Sequence, residues 1–185
     1  MTSTGKIRHT IAGLLLPIPA AMAGALLVTT LLALVAGCGG AEARKERYLA
    51  RGQELMAARN YEKARLEFRN AIQIDPKDAT ARVRAGEAAE RLGNYTEAAQ
   101  MYQSAVAADE KNALARARLG RMLALAGLPD RALEVIAPAL VATPDDAELL
   151  TVRAAANMLK GDLAAARTDA ERAVQLNPAS EEAVA

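Results

Sequence analysis

NYEKARLEFRNAIQIDPKDATARVRAG, residues 60–86, contains the features that recur down the rest of the chain every 34 residues. Ala64, Ala98, Ala132 and Ala166 stand on one ladder of that period, and Ala71, Ala105, Ala139 and Ala173 on a second. Gly52, Gly86 and Gly120 form a third that Ala154 continues, and Pro76, Pro144 and Pro178 a fourth with Glu110 at its second rung. Helices approach closely where residues are small, and proline marks where a helix stops. Four ladders in phase therefore describe one pair of helices, repeated.

On these residues the chain resembles the tetratricopeptide repeat family, whose pattern combines a bulky residue, Leu-Gly, an aromatic, and then Ala, an aromatic, Ala and Pro. The first repeat matches it at Tyr48, Gly52, Leu55, Ala64, Phe68, Ala71 and Pro76, with Arg51 in place of leucine. The second keeps Gly86, Ala98, Tyr102 and Ala105, with Arg82 at the bulky position. The third keeps Leu119, Gly120, Ala132, Ala139 and Pro144, and the fourth Leu150, Ala166, Ala173 and Pro178. The resemblance implies an all-α solenoid over residues 44–178, with repeats at 45–78, 79–112, 113–146 and 147–180.

Local signals place the elements within that frame. Helix A of the first repeat is expected from about Arg44 to Ala58 and helix B from Tyr61 to Ile74, with Leu66, Phe68, Ile72 and Ile74 supplying much of its apolar surface. The Arg59-Asn60 turn is short enough to force the two antiparallel. Asp75-Pro76 ends helix B and Asp78 caps the next helix. Gly93 offers a left-handed turn residue, and Asn94 with Glu97 a capping box. Pro129 suits a first helical position. Pro138 falls inside a helix, where it removes the hydrogen bond to Glu134 and predicts a kink near Val135 to Ala139. All five aromatic residues (Tyr48, Tyr61, Phe68, Tyr95, Tyr102) lie in the first two repeats, where each is expected to bring a large buried area. The alanine-rich fourth repeat is expected to be the least stable. Residues 181–185 read as the start of a fifth repeat, so the chain is expected to be the front part of a longer protein.

Residues 1–37 read as a secretion signal, with Lys6, Arg8 and His9 before an apolar run from Ile11 to Ala36. An uncleaved membrane helix is the alternative, since ~20 apolar residues span a bilayer. Pro17 and Pro19 weaken the front of that run. Leu34-Val35-Ala36-Gly37-Cys38 resembles a bacterial lipoprotein box, which implies that Cys38 becomes the lipid-bearing first residue. Gly39 after it resembles an outer-membrane destination. Residues 38–43 would be a short flexible tether that keeps the repeats close to the membrane.

Cleavage would leave 21 basic and 22 acidic side chains, no histidine, and a single cysteine committed to lipid. A near-neutral chain without a basic block argues against nucleic acid as a partner. Ser-His-Asp, Cys-His and His-bearing zinc sites lack their residues. No cofactor, metal or small-molecule substrate is expected, and Glu62, Glu67, Glu87, Glu90 and Glu97 read as a solvated helix face paired with Arg and Lys.

In this family the A helices line a concave face that holds a peptide or partner helix. That face is expected to carry Glu46, Leu49, Gln53, Met56, Val83, Arg84, Glu87, Arg91, Ala117, Arg118, Arg121, Leu125, Thr151, Met158 and Leu159. Arg84, Glu87, Arg91, Arg118, Arg121 and Leu125 are the partner-binding candidates: arginines grip carboxylates bidentately, unless Glu87 and Glu90 already neutralise them. The lysine and asparagine clamp of chaperone-binding members is absent, since Leu49 and Gln53 stand where its first pair would be. The lipoprotein box with residues 60–79 looks like the front of repeat lipoproteins of exosortase and PEP-CTERM systems. That resemblance implies an envelope scaffold in exopolysaccharide production and protein export. A pilus-assembly or secretin-piloting lipoprotein, or the docking arm of an enzyme, are the alternatives.

Overall fold

The structure, a computed structural model, describes residues 40–178. The leader, Cys38 and the start of a fifth repeat lie outside them. Among the described residues eight α-helices follow one another: α1 (40–57), α2 (Tyr61–Ile74), α3 (Ala79–Arg91), α4 (Tyr95–Ala108), α5 (Ala113–Leu125), α6 (Pro129–Ala142), α7 (Ala147–Lys160) and α8 (Leu163–Leu176). They form the expected solenoid of helix pairs, α1–α2 through α7–α8. The odd-numbered helices also meet one another, α3 against α5 and α5 against α7. None of the described helices is long and apolar enough to cross a membrane.

Residues 40–43, assigned above to a flexible tether, are instead the first turn of α1. Ala41, Glu42 and Ala43 are good helix formers. Glu42 also reaches one turn forward to Lys45 at 2.9 Å. The Lys45 ammonium is buried and is held as well by Asp75 at 3.3 Å and Asp78 at 3.1 Å, which ties α1 to the turn between α2 and α3.

The turns within each pair share one geometry. Gly93, Gly127 and Gly161 have φ of 76°, 72° and 83°, and Arg59, the equivalent residue of the first repeat, has φ of 57°. A side chain there costs ~1–2 kcal/mol that glycine avoids, while glycine's freedom in the unfolded chain returns part of it. Arg59→Gly is therefore expected to stabilise the chain by about 0.5–1 kcal/mol in urea denaturation; a loss of stability would contradict this account of the turn.

The turns between pairs are capped as expected: Asp78, Asn112 and Asp146 accept from the backbone N–H three residues on, at 2.9–3.0 Å. The capping box at Asn94 does not form, since Asn94 makes no side-chain cap. Its partner Glu97 is taken by Arg65 at 2.8 Å and Arg69 at 2.7 Å from α2, charge-assisted bonds that outcompete one to a neutral N–H. Pro138 lies exposed inside α6, which runs unbroken from Pro129 to Ala142.

Packing within each pair follows a size rule. Gly52 faces the Phe68 ring, Gly86 the Tyr102 ring and Gly120 the Ile136 side chain. Phe68, Tyr102 and Ile136 are fully buried and stand 34 residues apart. The next rung is Ala170, and its counterpart on α7 is no longer glycine but Ala154. Where the bulky partner is lost, the small position grows by a methyl group, as close packing requires. Three aromatics depart from expectation: Tyr95 is 59% exposed and Tyr61 only half-buried, because both open their helices at the turn edge, and Tyr48 on α1 is half-buried too. Leu66 is likewise exposed.

Candidate functional site

The inner face is built by α1, α3, α5 and α7. Helical spacing puts Arg84, Glu87 and Arg91 on one stripe of α3, and Arg118, Arg121 and Leu125 on the equivalent stripe of α5; Arg91 and Leu125 are exposed and the other four half-buried. The structure brings five of the six together. Arg84, Glu87, Arg91, Arg118 and Arg121, with Glu90, Met56 and Tyr95, line a hollow of about 430 Å³. Leu125 lies beyond it, in a second hollow of about 450 Å³ between α5 and α7, floored by Ala117, Ala124, Val152 and Ala155 and walled by Thr151, Met158 and Leu159. Arg118 and Arg121 border both hollows.

Three residues expected on this face belong to the core instead. Leu49, Val83 and Ala117 are buried, Leu49 among Ala64, Phe68 and Ala71 and Val83 beside Tyr102. Ala117 packs in the cluster of Ile136, Leu149 and Val152 and from there forms part of the floor of the second hollow.

In the charged hollow most arginines already have partners. Arg84 donates to Glu87 at 3.0 Å, and Arg118 lies 3.8 Å from Glu87 and 3.4 Å from Glu148. Burial works against the charge on Arg118, but Glu148 and Glu87 outweigh it and hold its pKa above the ordinary arginine value. Arg121 donates to Glu90, which on its other oxygen accepts from the Tyr102 hydroxyl at 2.8 Å. Burial, then the Glu90 charge and this bond, push the Tyr102 phenol well above its usual pKa. Glu90 thus joins a core side chain of α4 to a surface cation of α5, and the floor of the hollow is continuous with the hydrophobic core.

Arg91 differs from the others. It is exposed and forms no ion pair with any described residue. Four arginines against Glu87 and Glu90 leave the lining of this hollow with two net positive charges. The second hollow is apolar: Leu125, Met158 and Leu159 are 72%, 60% and 51% exposed. Monomeric proteins rarely leave such side chains clustered in contact with water unless something binds there.

Sequence reasoning found the arginines but not all of their partners. Arg84 and Glu87 are one turn apart and legible, whereas Arg121 to Glu90 and Arg118 to Glu148 join neighbouring repeats across 31 and 30 residues. Tyr102 was legible only as a core residue, since its hydroxyl meets Glu90 solely through the pairing of α3 with α4.

Two sequence-family models, each described as a tetratricopeptide repeat, match residues 49–113 and 89–156. No curated protein matches the chain. Among solved structures, pilF of Pseudomonas aeruginosa is similar at a TM-score of 0.68 and 20% identity, over 78% of this chain and 66% of that one. MamA from Desulfovibrio magneticus RS-1 is similar at a TM-score of 0.65 and 20% identity, over 76% and 79%. A thermophilic repeat protein of Thermus thermophilus is similar at 0.64 and 23%, over 72% and 75%. At these identities the likeness is one of fold.

Proposed function

We propose that this chain, which carries tetratricopeptide repeats, is a protein–protein interaction scaffold of the bacterial envelope, anchored through lipid on Cys38 and binding a protein segment on its inner face. The observation that carries the binding role is the pair of adjoining hollows, one lined by arginines and one by exposed Leu125, Met158 and Leu159. A surface of that composition suits a partner chain, because apolar contact supplies affinity and charge supplies selection. Adjoining charged and apolar hollows on one face support binding as the function.

The anchor rests on the lipoprotein box at Cys38, and two or three acyl chains would hold the protein firmly at ~0.8 kcal/mol per buried methylene. An outer-membrane, periplasm-facing location follows from Gly39. The pathway we propose is exopolysaccharide production and PEP-CTERM protein export, on the resemblance of the box and residues 60–79 to lipoproteins of those systems.

The test is photocrosslinking in cells from positions 84, 118 and 125, with exposed Lys63 on α2 as control. The expected result is one partner captured in the membrane fraction from the three inner-face positions and not from position 63, with labelled palmitate incorporated into the parent chain and not into Cys38→Ser. Equal capture at all four positions would sink the binding face; a parent chain that takes up no labelled palmitate would sink the lipid anchor.

A further inference from the structure

Arg91, Leu125 and Leu159 occupy one helical position in three successive repeats, 34 residues apart, at the C-terminal ends of α3, α5 and α7. They form a row that crosses the A helices. At its α3 end stands a cation with no ion-pair partner among the described residues, in a hollow with net positive lining. At its other end the row enters the apolar hollow between α5 and α7.

Packed helix axes lie ~8–10 Å apart, so the middle of the apolar hollow is about one and a half such steps, ~12–15 Å, from the Arg91 position. An extended chain covers that distance in about four residues at ~3.3–3.6 Å each. A helix would need about eight to ten residues at ~1.5 Å and is ~10–12 Å across with its side chains. Hollows of about 450 Å³ and 430 Å³ each take individual side chains, and two side chains at that separation stand about four residues apart on an extended chain.

We propose that the inner face selects an extended peptide segment in which an acidic residue stands about four positions from a bulky apolar one. The carboxylate pairs with Arg91, and the apolar side chain enters the hollow walled by Leu125, Met158 and Leu159. The selection is by sign as well as shape: a basic residue at the first position meets Arg91 beside Arg84 and Arg121, and like charges brought together oppose binding. This rests on the reading of the inner face as the binding surface.

The test is selection of phage-displayed random nine-residue peptides on the full chain in detergent, followed by fluorescence anisotropy with the enriched peptides. The expected enrichment is Asp or Glu about four positions from Leu, Ile, Met or Phe. Arg91→Glu should weaken those peptides tenfold or more, and exchanging their acid for lysine should restore binding to that variant alone. Leu125→Asp should weaken them by at least as much. Both residues are exposed, so thermal melts of the variants should overlay that of the parent. Enriched peptides without an acid that are still displaced by Leu125→Asp would overturn the proposed selection and leave the binding face standing. Helix-forming peptides with a spacing of eight to ten would do the same. Binding that neither substitution changes, or no enrichment, would overturn both.

Discussion

Tyr102→Ala is expected to destabilise the chain by about 3–5 kcal/mol, the cost of emptying a fully packed aromatic site. Tyr102 has no solvent exposure and sits in the cluster of Val83, Ala89, Ala98, Ala105, Ala115, Leu119 and Met122, which draws on α3, α4 and α5. Most of these neighbours are alanines, whose short side chains cannot swing into the space the ring vacates. The substitution also removes the neutral donor to Glu90, leaving that carboxylate to Arg121 alone on the floor of the charged hollow. In a solenoid each repeat is stabilised chiefly by its neighbours, so damage in the second repeat weakens its hold on the first and third. Thermal denaturation followed by circular dichroism should show a midpoint lower by roughly 10 °C for a chain of this length. Tyr95→Ala is the control: that ring is 59% exposed, and the change should stay within about 0.5 kcal/mol. A Tyr102→Ala midpoint within a degree or two of the control would refute the role given to this ring.

The fold was legible because its signals are local and periodic. Small residues at Ala64 and Ala71, glycine at Gly86 and proline at Pro76 each state a backbone requirement, and a 34-residue period repeats it along the chain. The site was legible to the extent that it lies on single helices: the stripes Arg84–Arg91 and Arg118–Leu125 follow from helical spacing. What escaped are interactions between repeats. Glu97 reads as a capping partner of Asn94 until α2 brings Arg65 and Arg69 against it from 32 and 28 residues away. Glu90 reads as a solvated acid until α4 and α5 close on it. The size rule stands in the sequence as the ladder Phe68, Tyr102, Ile136, Ala170, yet a search for aromatics stops at Tyr102. Its meaning lies in what each rung faces, and that is set by how the two helices of a pair pack.

That size rule makes a prediction whose sign changes with background. Gly86→Ala alone is expected to destabilise the chain by about 1–3 kcal/mol, because overpacking a filled core costs that much. The new Cβ would lie 2.6 Å, 2.9 Å and 3.0 Å from Cε1, Cδ1 and Cζ of Tyr102. The ring cannot retreat, since it is buried on all sides and its hydroxyl is tied to Glu90. Alanine's better helix propensity, ~1 kcal/mol over glycine, offsets only part of the clash. With Tyr102→Ala already in place, the ring is gone, and the same methyl group enters an existing cavity while the propensity gain remains. Gly86→Ala should then stabilise, by roughly 1 kcal/mol, and the double variant would reproduce the Ala154 and Ala170 pairing of the fourth repeat. The coupling between the two substitutions should reach ~2–4 kcal/mol, well above the few tenths found for independent sites. Gly93→Ala gives the contrast: its cost comes from a φ of 76° in the turn, with no atom near the added Cβ, and should be the same whether or not Tyr102 is present. Four urea denaturation curves, for the parent, each single variant and the double, decide the matter. If Gly86→Ala lowers stability equally in both backgrounds, the glycine ladder serves backbone geometry and not the ring that faces it.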